Sequence, residues 1–251
     1  MKLGIVIPTY QEEKNIKKIF YAFKKLKNIN FFFCFVDGSY TSATSNEIKR
    51  YFKKNYKIIY QKKKKIGILN LSTRCEASLL GFKWLIKNKK IDMVSDMDAD
   101  LSSDPADIYK AIQLYKRSSP DLIIGSKYLK KSKIINRKLS RSFCSLIYSY
   151  ACKKLISNKI SDYSAGFRFY DVSSLKKLIK IKPLFKTPSQ HLQNLLFYYE
   201  NRLEIKEFPA NYIDTDGNSK SISNIHMLIY IFQLTEILIR YHLRKFNRFF
   251  K

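Results

Sequence analysis

The first half of the chain alternates short apolar runs with segments of helical periodicity, and this alternation restricts the fold more than any other feature. The apolar runs predict strands at residues 3–7, 31–36, 57–60, 91–94 and 121–125. Between these runs, the spacing of apolar residues predicts helices at residues 12–26, 77–86 and 105–116. Strands that alternate with helices indicate an α/β fold, with a mainly parallel sheet and helices on both faces.

The second half is more helical, and its end has a different composition. We expect helices at residues 139–150, 172–179 and 189–199, a loop at 162–170 and a strand at 203–208. Residues 222–241 are rich in Ile, Leu, Phe and Tyr, but polar residues interrupt them, whereas a transmembrane helix needs about 20 mostly apolar residues. Basic residues follow as far as Lys251. We therefore expect a globular domain at 1–221 and, at 222–251, an amphipathic helix in a membrane interface. A terminal helix packed on its own domain is the alternative.

The charge of the chain indicates an anionic partner. Lys and Arg number 48 against 20 Asp and Glu, which gives a net charge of +28. Such a charge attracts nucleic acid, an anionic membrane or phosphorylated substrates, although a general excess of surface Lys is an alternative explanation. The four cysteines form no C-x-x-C pair, and the first residues read as a strand rather than a signal peptide. We therefore expect a reducing, cytoplasmic location.

Acidic residues are concentrated at the end of the fourth predicted strand. Five of the 20 acidic residues are the aspartates at 92, 96, 98, 100 and 104. In open α/β sheets ligands bind beyond the carboxyl ends of the strands, and hard carboxylate oxygens suit Mg²⁺ or Mn²⁺. Polar residues also follow the first two predicted strands, at 8–12 and 37–39. The sequence thus predicts a divalent cation site at this edge of the sheet.

Six motifs, in order, resemble those of a known enzyme family. Residues 6–16, V-I-P-T-Y-Q-E-E-K-N-I, resemble the opening of family 2 glycosyltransferases, which have the Rossmann-like GT-A fold. Residues 96–105, D-M-D-A-D-L-S-S-D-P, resemble the metal-binding stretch of their dolichyl-phosphate and polyprenyl-phosphate mannosyltransferase branch. Residues 125–128, 139–141, 162–170 and 217–220 resemble its later motifs. The resemblance covers about residues 2–220 and implies that the 1–221 domain is a GT-A glycosyltransferase.

The resemblance also implies roles for individual residues. It implies that Asp98 and Asp100 hold Mg²⁺ or Mn²⁺ and, with Lys127 and Arg168, form the catalytic set. The nucleotide-sugar donor is expected to contact Pro8, Tyr10, Glu12, Asp37, Arg168, Ser219 and Lys220. The acceptor phosphate is expected to contact Lys127, Arg137, Ser140 and Arg141. For the basic residues, a position on the solvated surface is the alternative.

The chain departs from the family pattern at several positions. Val36 stands where the family commonly has the first of two aspartates, and Ser102 stands where a Gln is frequent. The glycine-rich stretch expected near residues 73–75 is absent, and Lys127 replaces an Arg, which keeps the charge but loses the bidentate fork. These changes affect recognition of the base and the identity of the donor more than metal binding.

The resemblance implies an inverting transfer of a sugar from GDP-mannose or a UDP-sugar to a polyprenyl phosphate. The apolar terminal segment with its basic end predicts that the enzyme is attached peripherally to the cytoplasmic face of an anionic membrane. A phosphate acceptor is already largely anionic at pH 7, with a second pKa near ~6, so it needs positioning rather than deprotonation. A glycan or protein hydroxyl is the alternative acceptor and requires a carboxylate base, for which Asp104 is a candidate. A basic nucleic-acid-binding protein is a more distant alternative, because the acidic cluster repels phosphates and no standard binding signature occurs. We therefore expect no nucleic acid partner.

Overall fold

The computed structural model describes residues 1–61, 74–185, 187, 189–214 and 224–249, with the side chains of 140, 141, 224–228 and 246–249 left out of the description. The strands within these residues are β1 (Lys2–Thr9), β2 (Asn30–Asp37), β3 (Tyr56–Tyr60), β4 (Met93–Asp96), β5 (Leu122–Ser126), β6 (Ile134–Ile135), β7 (Arg168–Asp171), β8 (Ile205–Pro209) and β9 (Tyr212–Ile213). The helices are α1 (Glu13–Lys24), α2 (Ala43–Tyr51), α3 (Arg74–Asn88), α4 (Ile108–Ser118), α5 (Leu139–Leu155), α6 (Val172–Leu178), α7 (Gln190–Glu200) and α8 (Asn224–Phe249).

Seven strands form one sheet in the order β3-β2-β1-β4-β7-β5-β8, and β6 pairs with β9 in a small second sheet. Every pairing in the large sheet is parallel except those of β7, which is antiparallel to both β4 and β5. In the register, Thr9 pairs with Asp37, and Val6 pairs with Asp96. The carboxyl ends of β1, β2 and β4 therefore meet at one edge, as the predicted α/β fold requires.

Two apolar clusters cover the two faces of the sheet, because successive side chains of a strand point to opposite faces. From β1, Ile5 and Ile7 join a cluster that includes residues of α1, α2 and α4. Val6 joins the other cluster, to which α3, α5, α6, α7 and α8 contribute. The predicted fold class, a mainly parallel sheet with helices on both faces, is confirmed.

One predicted local structure differs from the observed one, and one helix was not predicted. Residues 162–170, predicted as a loop, contain the start of β7, a central strand of the sheet. This strand has only four residues and starts with a charged side chain, so its apolar pattern is too short to stand out. The helix α2 was not predicted, because its buried residues are Thr44, Ser45 and Ile48, and only the last is apolar.

The C-terminal helix α8 presents two different faces. Its inner face is buried against the domain through Gln233, Ile237 and Tyr241. Gln233 Oε1 accepts hydrogen bonds from Thr187 Oγ1 at 2.6 Å and Ser189 Oγ at 2.9 Å. The outer face exposes Ile231, Phe232, Ile239 and Leu243. Among the described helices, α8 included, none combines the length and apolar character needed to span a membrane.

Candidate functional site

The ends of β1, β2 and β3 converge around a buried carboxylate. Asp37 Oδ1 accepts hydrogen bonds from Thr9 Oγ1 at 3.2 Å, Ser39 N at 3.1 Å and Ser39 Oγ at 2.6 Å. The Gly38 N–H donates to Thr9 O at 3.0 Å, and the Gln61 N–H donates to Asp37 O at 2.9 Å. Asp37 therefore fixes the relative positions of the loops that follow three neighbouring strands.

Next to Asp37, two exposed tyrosine rings form the surface of this edge. The Tyr10 and Tyr40 rings meet edge to face with centroids 5.8 Å apart, and both are exposed. Glu12 Oε2 accepts a hydrogen bond from Asn15 Nδ2 at 2.7 Å, and Pro8 lies half-buried in β1. Four of the residues predicted to contact the donor thus lie close together, beside aromatic faces on which a planar base can stack.

The end of β4 places a second carboxylate inside the protein. Asp96 is 2% exposed, and its Oδ2 accepts hydrogen bonds from Ser78 Oγ at 3.1 Å and Arg74 Nη1 at 3.2 Å. Its Oδ1 is buried and has no hydrogen-bond partner among the described residues. Burial raises the pKa of Asp96, and the Arg74 charge opposes this shift. The site thus contains an acceptor oxygen that the described side chains leave unsatisfied.

The two aspartates predicted to bind metal follow directly. The Asp98 side chain is 47% exposed, and its Oδ1 accepts a hydrogen bond from Arg74 Nε at 2.5 Å. Asp100 Oδ1 accepts the Ser102 N–H at 2.8 Å, which closes a tight turn. Because this turn follows β4, Asp98 and Asp100 lie at the same edge of the sheet as the residues predicted to bind the donor.

The carboxylates fit a hard divalent cation only together with further oxygen ligands. Among the described residues, no three His, Cys, Asp or Glu side chains converge in a metal-binding arrangement. Mg²⁺ is usually held by one or two carboxylates together with substrate phosphates and water. Asp98 and Asp100 supply that number, so the residues present suit an ion that arrives with a diphosphate.

Arg74 is a site residue that the sequence interpretation missed. It begins α3, and this helix lies against β1 at Gly81, where a Cβ atom would lie only 2.4 Å from Val6 Cγ1. This close approach brings the start of α3 beside the end of β4. A basic residue in the first turn of a helix is opposed by the helix dipole. The sequence held no local signal for this contact, because Arg74 lies more than 20 residues from Asp96 and Asp98.

Lys127, predicted to contact the acceptor phosphate, is committed to an internal ion pair. Its side chain is only 8% exposed, and Nζ lies 2.8 Å from Asp162 Oδ2 and 2.7 Å from Ser164 Oγ. Burial lowers the pKa of Lys127, and the charge of Asp162 opposes this shift. In this arrangement Asp162 offsets the charge of Lys127, and Nζ is not presented to solvent.

Arg137 lies near Lys127 and packs against an aromatic ring. Its guanidinium lies 5.0 Å from the Tyr212 ring, and Nε and Nη1 are buried and have no hydrogen-bond partner among the described residues. Tyr212 forms an antiparallel bridge with Ser103, which follows the acidic turn. The Arg137 charge also acts to lower the pKa of Lys127. The two cations are therefore near enough to influence each other electrostatically.

Arg168 does not have the predicted position. It is 0% exposed, and its guanidinium donates to three carbonyl oxygens: Ala165 O at 2.9 Å, His191 O at 2.7 Å and Tyr163 O at 3.4 Å. These bonds hold α7 and residues 163–165 against the central strand. A side chain so enclosed is not placed to reach a donor diphosphate, and we correct its role from donor contact to structural anchor.

Four further predicted residues are only partly described or not described. Ser140 and Arg141 belong to the first turn of α5, but their side chains are not among those described. Ser219 and Lys220, predicted to contact the donor, lie outside the described residues.

Next to the Lys127 pair, α5 turns an apolar face to solvent. This outer face consists of Leu139, Phe143, Leu146, Ile147 and Tyr150, all more than half exposed. The opposite side carries Ser145, whose Oγ lies 2.8 Å from Tyr128 Oη and 2.6 Å from Ser164 Oγ. The polar side of α5 therefore contacts Tyr128 and Ser164, the second of which also accepts a hydrogen bond from Lys127. The apolar side of α5 is the one that contacts solvent.

Comparison with known proteins gives one family. The sequence model for "Glycosyl transferase family 2" matches residues 4–179. The chain is 29% identical over 172 residues to a dolichol-phosphate mannosyltransferase of Pyrococcus furiosus, a match that covers 66% of this chain and 45% of that protein. It is 28% identical over 102 residues to an undecaprenyl-phosphate mannosyltransferase of Micrococcus luteus, with 41% of each chain covered. The matched part spans less than half the length of either relative.

Solved structures agree on the fold. A glucosyl-3-phosphoglycerate synthase from Mycobacterium tuberculosis, in complex with Mn²⁺, UDP and glucosyl-3-phosphoglycerate, superposes with a TM-score of 0.63 at 13% identity. The superposition covers 96% of this chain and 79% of that one. At this identity the likeness concerns the fold alone.

Proposed function

The chain belongs to glycosyltransferase family 2, and from this premise we propose that it transfers a sugar from a nucleotide-sugar donor to a polyprenyl phosphate at a membrane surface. One observation carries the choice of acceptor: the exposed apolar face of α5 adjoins the cluster that contains Lys127 and Arg137. An exposed apolar helix face beside a buried guanidinium without a described partner suits a ligand with a hydrocarbon chain and a phosphate. The mannosyl transfer to lipid phosphates named for the two curated relatives supports the same substrate class.

The donor end of the proposal rests on the strand ends. Tyr10 offers a ring on which the base stacks, and Asp37 fixes the loop beneath it. Asp98 and Asp100 would hold Mg²⁺ or Mn²⁺ together with the diphosphate oxygens. When bound, the ion neutralises charge on the leaving diphosphate. We propose GDP-mannose or a UDP-sugar as donor, as implied by the resemblance.

At the acceptor end, the protein's task is to position an existing nucleophile. The phosphate monoester is already largely anionic at pH 7, with a second pKa near ~6. Arg137 has two buried donor groups without a described partner, and it is the residue to which we assign direct contact with the acceptor phosphate. Lys127 lies close by in a buried ion pair with Asp162, which offsets its charge. Attack on the face of the sugar opposite the diphosphate inverts the anomeric centre.

A hydroxyl acceptor receives less support from the site. Asp104, the candidate base for that reaction, accepts a hydrogen bond from the Ala106 N–H at 2.9 Å. It thereby caps the short 3-10 helix at Pro105–Asp107. This carboxylate has a structural task that accounts for its position. We also propose peripheral attachment to the cytoplasmic face, through the outer faces of α5 and α8.

A donor panel tests the proposal. GDP-mannose, UDP-glucose and UDP-GlcNAc, radiolabelled in the sugar, are incubated with polyprenyl phosphate in the presence and absence of Mn²⁺. We expect label to enter the organic phase with one donor and only with the metal. Asp100→Asn should abolish this turnover. Asp104→Asn, a matched change in the same loop that keeps a good capping residue, should retain most of it.

Two outcomes contradict the proposal. Label that stays in the aqueous phase on a glycan or protein indicates a hydroxyl acceptor. Full activity of Asp100→Asn means that the metal site has been assigned to the wrong residues.

A further inference from the structure

Arg74 lies where a helix disfavours a cation, and two carboxylates compensate for this. It is the first residue of α3, so the partial positive charge of the helix N-terminus acts against its guanidinium. Nε donates to Asp98 Oδ1 and Nη1 donates to Asp96 Oδ2, at 2.5 and 3.2 Å. The guanidinium thus bridges two different carboxylates that flank Met97.

These contacts place a fixed positive charge on one of the two proposed metal ligands. A guanidinium cannot lose its proton in a protein, so its charge is present at any working pH. A divalent cation that approaches Asp98 meets this charge at short range, and the metal and Arg74 compete for the same oxygen. The competition ends once a second anion is present to receive the guanidinium.

The two ends of the Arg74 contact differ in how easily they are released. Asp96 is buried, and Ser78 Oγ also donates to its Oδ2, so losing the Arg74 charge would leave a buried carboxylate poorly compensated. Asp98 is half-exposed, and water or a metal can replace the guanidinium there. Arg74 is itself 23% exposed. The contact of Arg74 with Asp98, the proposed metal ligand, is therefore easier to break than its contact with Asp96.

We propose that Arg74 is a built-in counter-ion of the metal site: it occupies Asp98 while the site lacks the metal and donor, and moves to the donor diphosphate when both arrive, with Nη1 remaining on Asp96. This inference rests on the proposed function, since it takes Asp98 as a metal ligand. It makes Arg74 a donor-positioning residue and couples the binding of metal and nucleotide. Metal alone binds against the guanidinium, whereas metal with a nucleoside diphosphate gives the guanidinium a new partner.

Metal binding without turnover tests the coupling. Free Mn²⁺ is followed by its electron paramagnetic resonance signal during titration of the protein, first alone and then with saturating GDP or UDP, whichever binds the wild type more tightly. In the wild type we expect the nucleotide to tighten Mn²⁺ binding by about 5- to 150-fold, the usual range of coupling between sites. In Arg74→Gln we expect Mn²⁺ alone to bind more tightly than in the wild type, and the nucleotide to bind more weakly.

Two further variants make the result specific. Arg74→Lys keeps the charge, but a point-like ammonium cannot span two carboxylates as a planar fork does, so we expect reduced coupling. This variant also tests the idea if Arg74→Gln does not fold. Arg50→Gln removes an exposed ion pair with Glu47 on α2 and should leave both affinities at wild-type values.

The results separate this inference from the proposed function. If Arg74→Gln binds Mn²⁺ alone no more tightly than the wild type, or Arg74→Lys keeps full coupling, Arg74 is not a counter-ion that the metal displaces, and the metal site stands unaffected. If Asp98→Asn and Asp100→Asn bind Mn²⁺ as the wild type does, the metal site is misassigned and both ideas fail.

Discussion

The exposed face of α5 leads to a quantitative prediction for membrane binding. Phe143 is 64% exposed at the centre of this face. Full burial of a Phe side chain contributes about 1.5–3 kcal/mol, so inserting the exposed part into a bilayer contributes about 1–2 kcal/mol. Since 1.4 kcal/mol corresponds to a tenfold change in an equilibrium constant, Phe143→Ser should weaken partition into vesicles by about 5- to 30-fold.

The assay is co-sedimentation with vesicles that contain an anionic phospholipid, at several lipid concentrations. Only about a third of Phe143 is buried in the free protein, so the substitution should lower the free energy of unfolding by no more than about 1 kcal/mol. Tyr21→Ser is the matched control, because Tyr21 is also an exposed aromatic residue but lies on α1, on the opposite face of the sheet. Equal partition of Phe143→Ser and the wild type, with both proteins folded, would refute the docking role of α5.

Three further predictions concern folding and chemistry. Burial raises the pKa of Asp171, but hydrogen bonds from Ser173 and Tyr115 outweigh this effect, so the pKa is lowered overall. The ionised carboxylate therefore stabilises the fold at pH values above the ordinary pKa of Asp. This stabilisation is lost as the pH falls through the lowered pKa. Asp171→Asn keeps the helix cap, and urea unfolding should show its stability deficit relative to the wild type shrinking as the pH falls below about 4. Gly81→Ala should lower the free energy of unfolding by about 1–3 kcal/mol, measured by the same method, because the added methyl group overlaps Val6. A maleimide should label Cys144 in the folded protein, since it alone of the four cysteines is exposed, and all four in denaturant; rapid native labelling of a second thiol would contradict the buried positions of Cys34, Cys75 and Cys152.

The parallel sheet could be predicted because its signals are local. Residues 3–7 and 31–36 form continuous apolar runs, each ending at a polar cluster, and β1 and β2 lie there with their ends adjacent. The position of Asp98 and Asp100 at this edge follows from the same reasoning. Such predictions succeed where the pattern along the chain and the burial of the strand coincide.

The errors arose where a residue's contacts are with residues distant from it in the sequence. Arg168 was assigned to the donor because residues 162–170 resemble a family motif, yet β7 inserts between β4 and β5 and buries Arg168 among carbonyl groups. Arg74 was overlooked because its partners Asp96 and Asp98 lie more than 20 residues away. No local pattern encodes which strand inserts into the centre of a sheet, or which helix end approaches it.

The apolar stripe of α5 was predicted from the sequence, but the sequence does not determine whether that stripe is buried or exposed. The stripe satisfies the helical period, which predicts the helix but does not say what the stripe contacts. In the fold, Ser145, Ser149 and Cys152 face inward and the stripe faces solvent. The apolar cluster that contains Cys152 also contains Ile237 and Tyr241 of α8, so both helices lie on one side of the sheet with apolar residues pointing outward.

Two exposed apolar faces on one side of the sheet add their contributions to membrane binding, and each Lys or Arg near an anionic surface adds about 1 kcal/mol. The proposed membrane contact would therefore include both helices, with Lys127 and Arg137 near the start of α5, where we propose that the lipid phosphate binds.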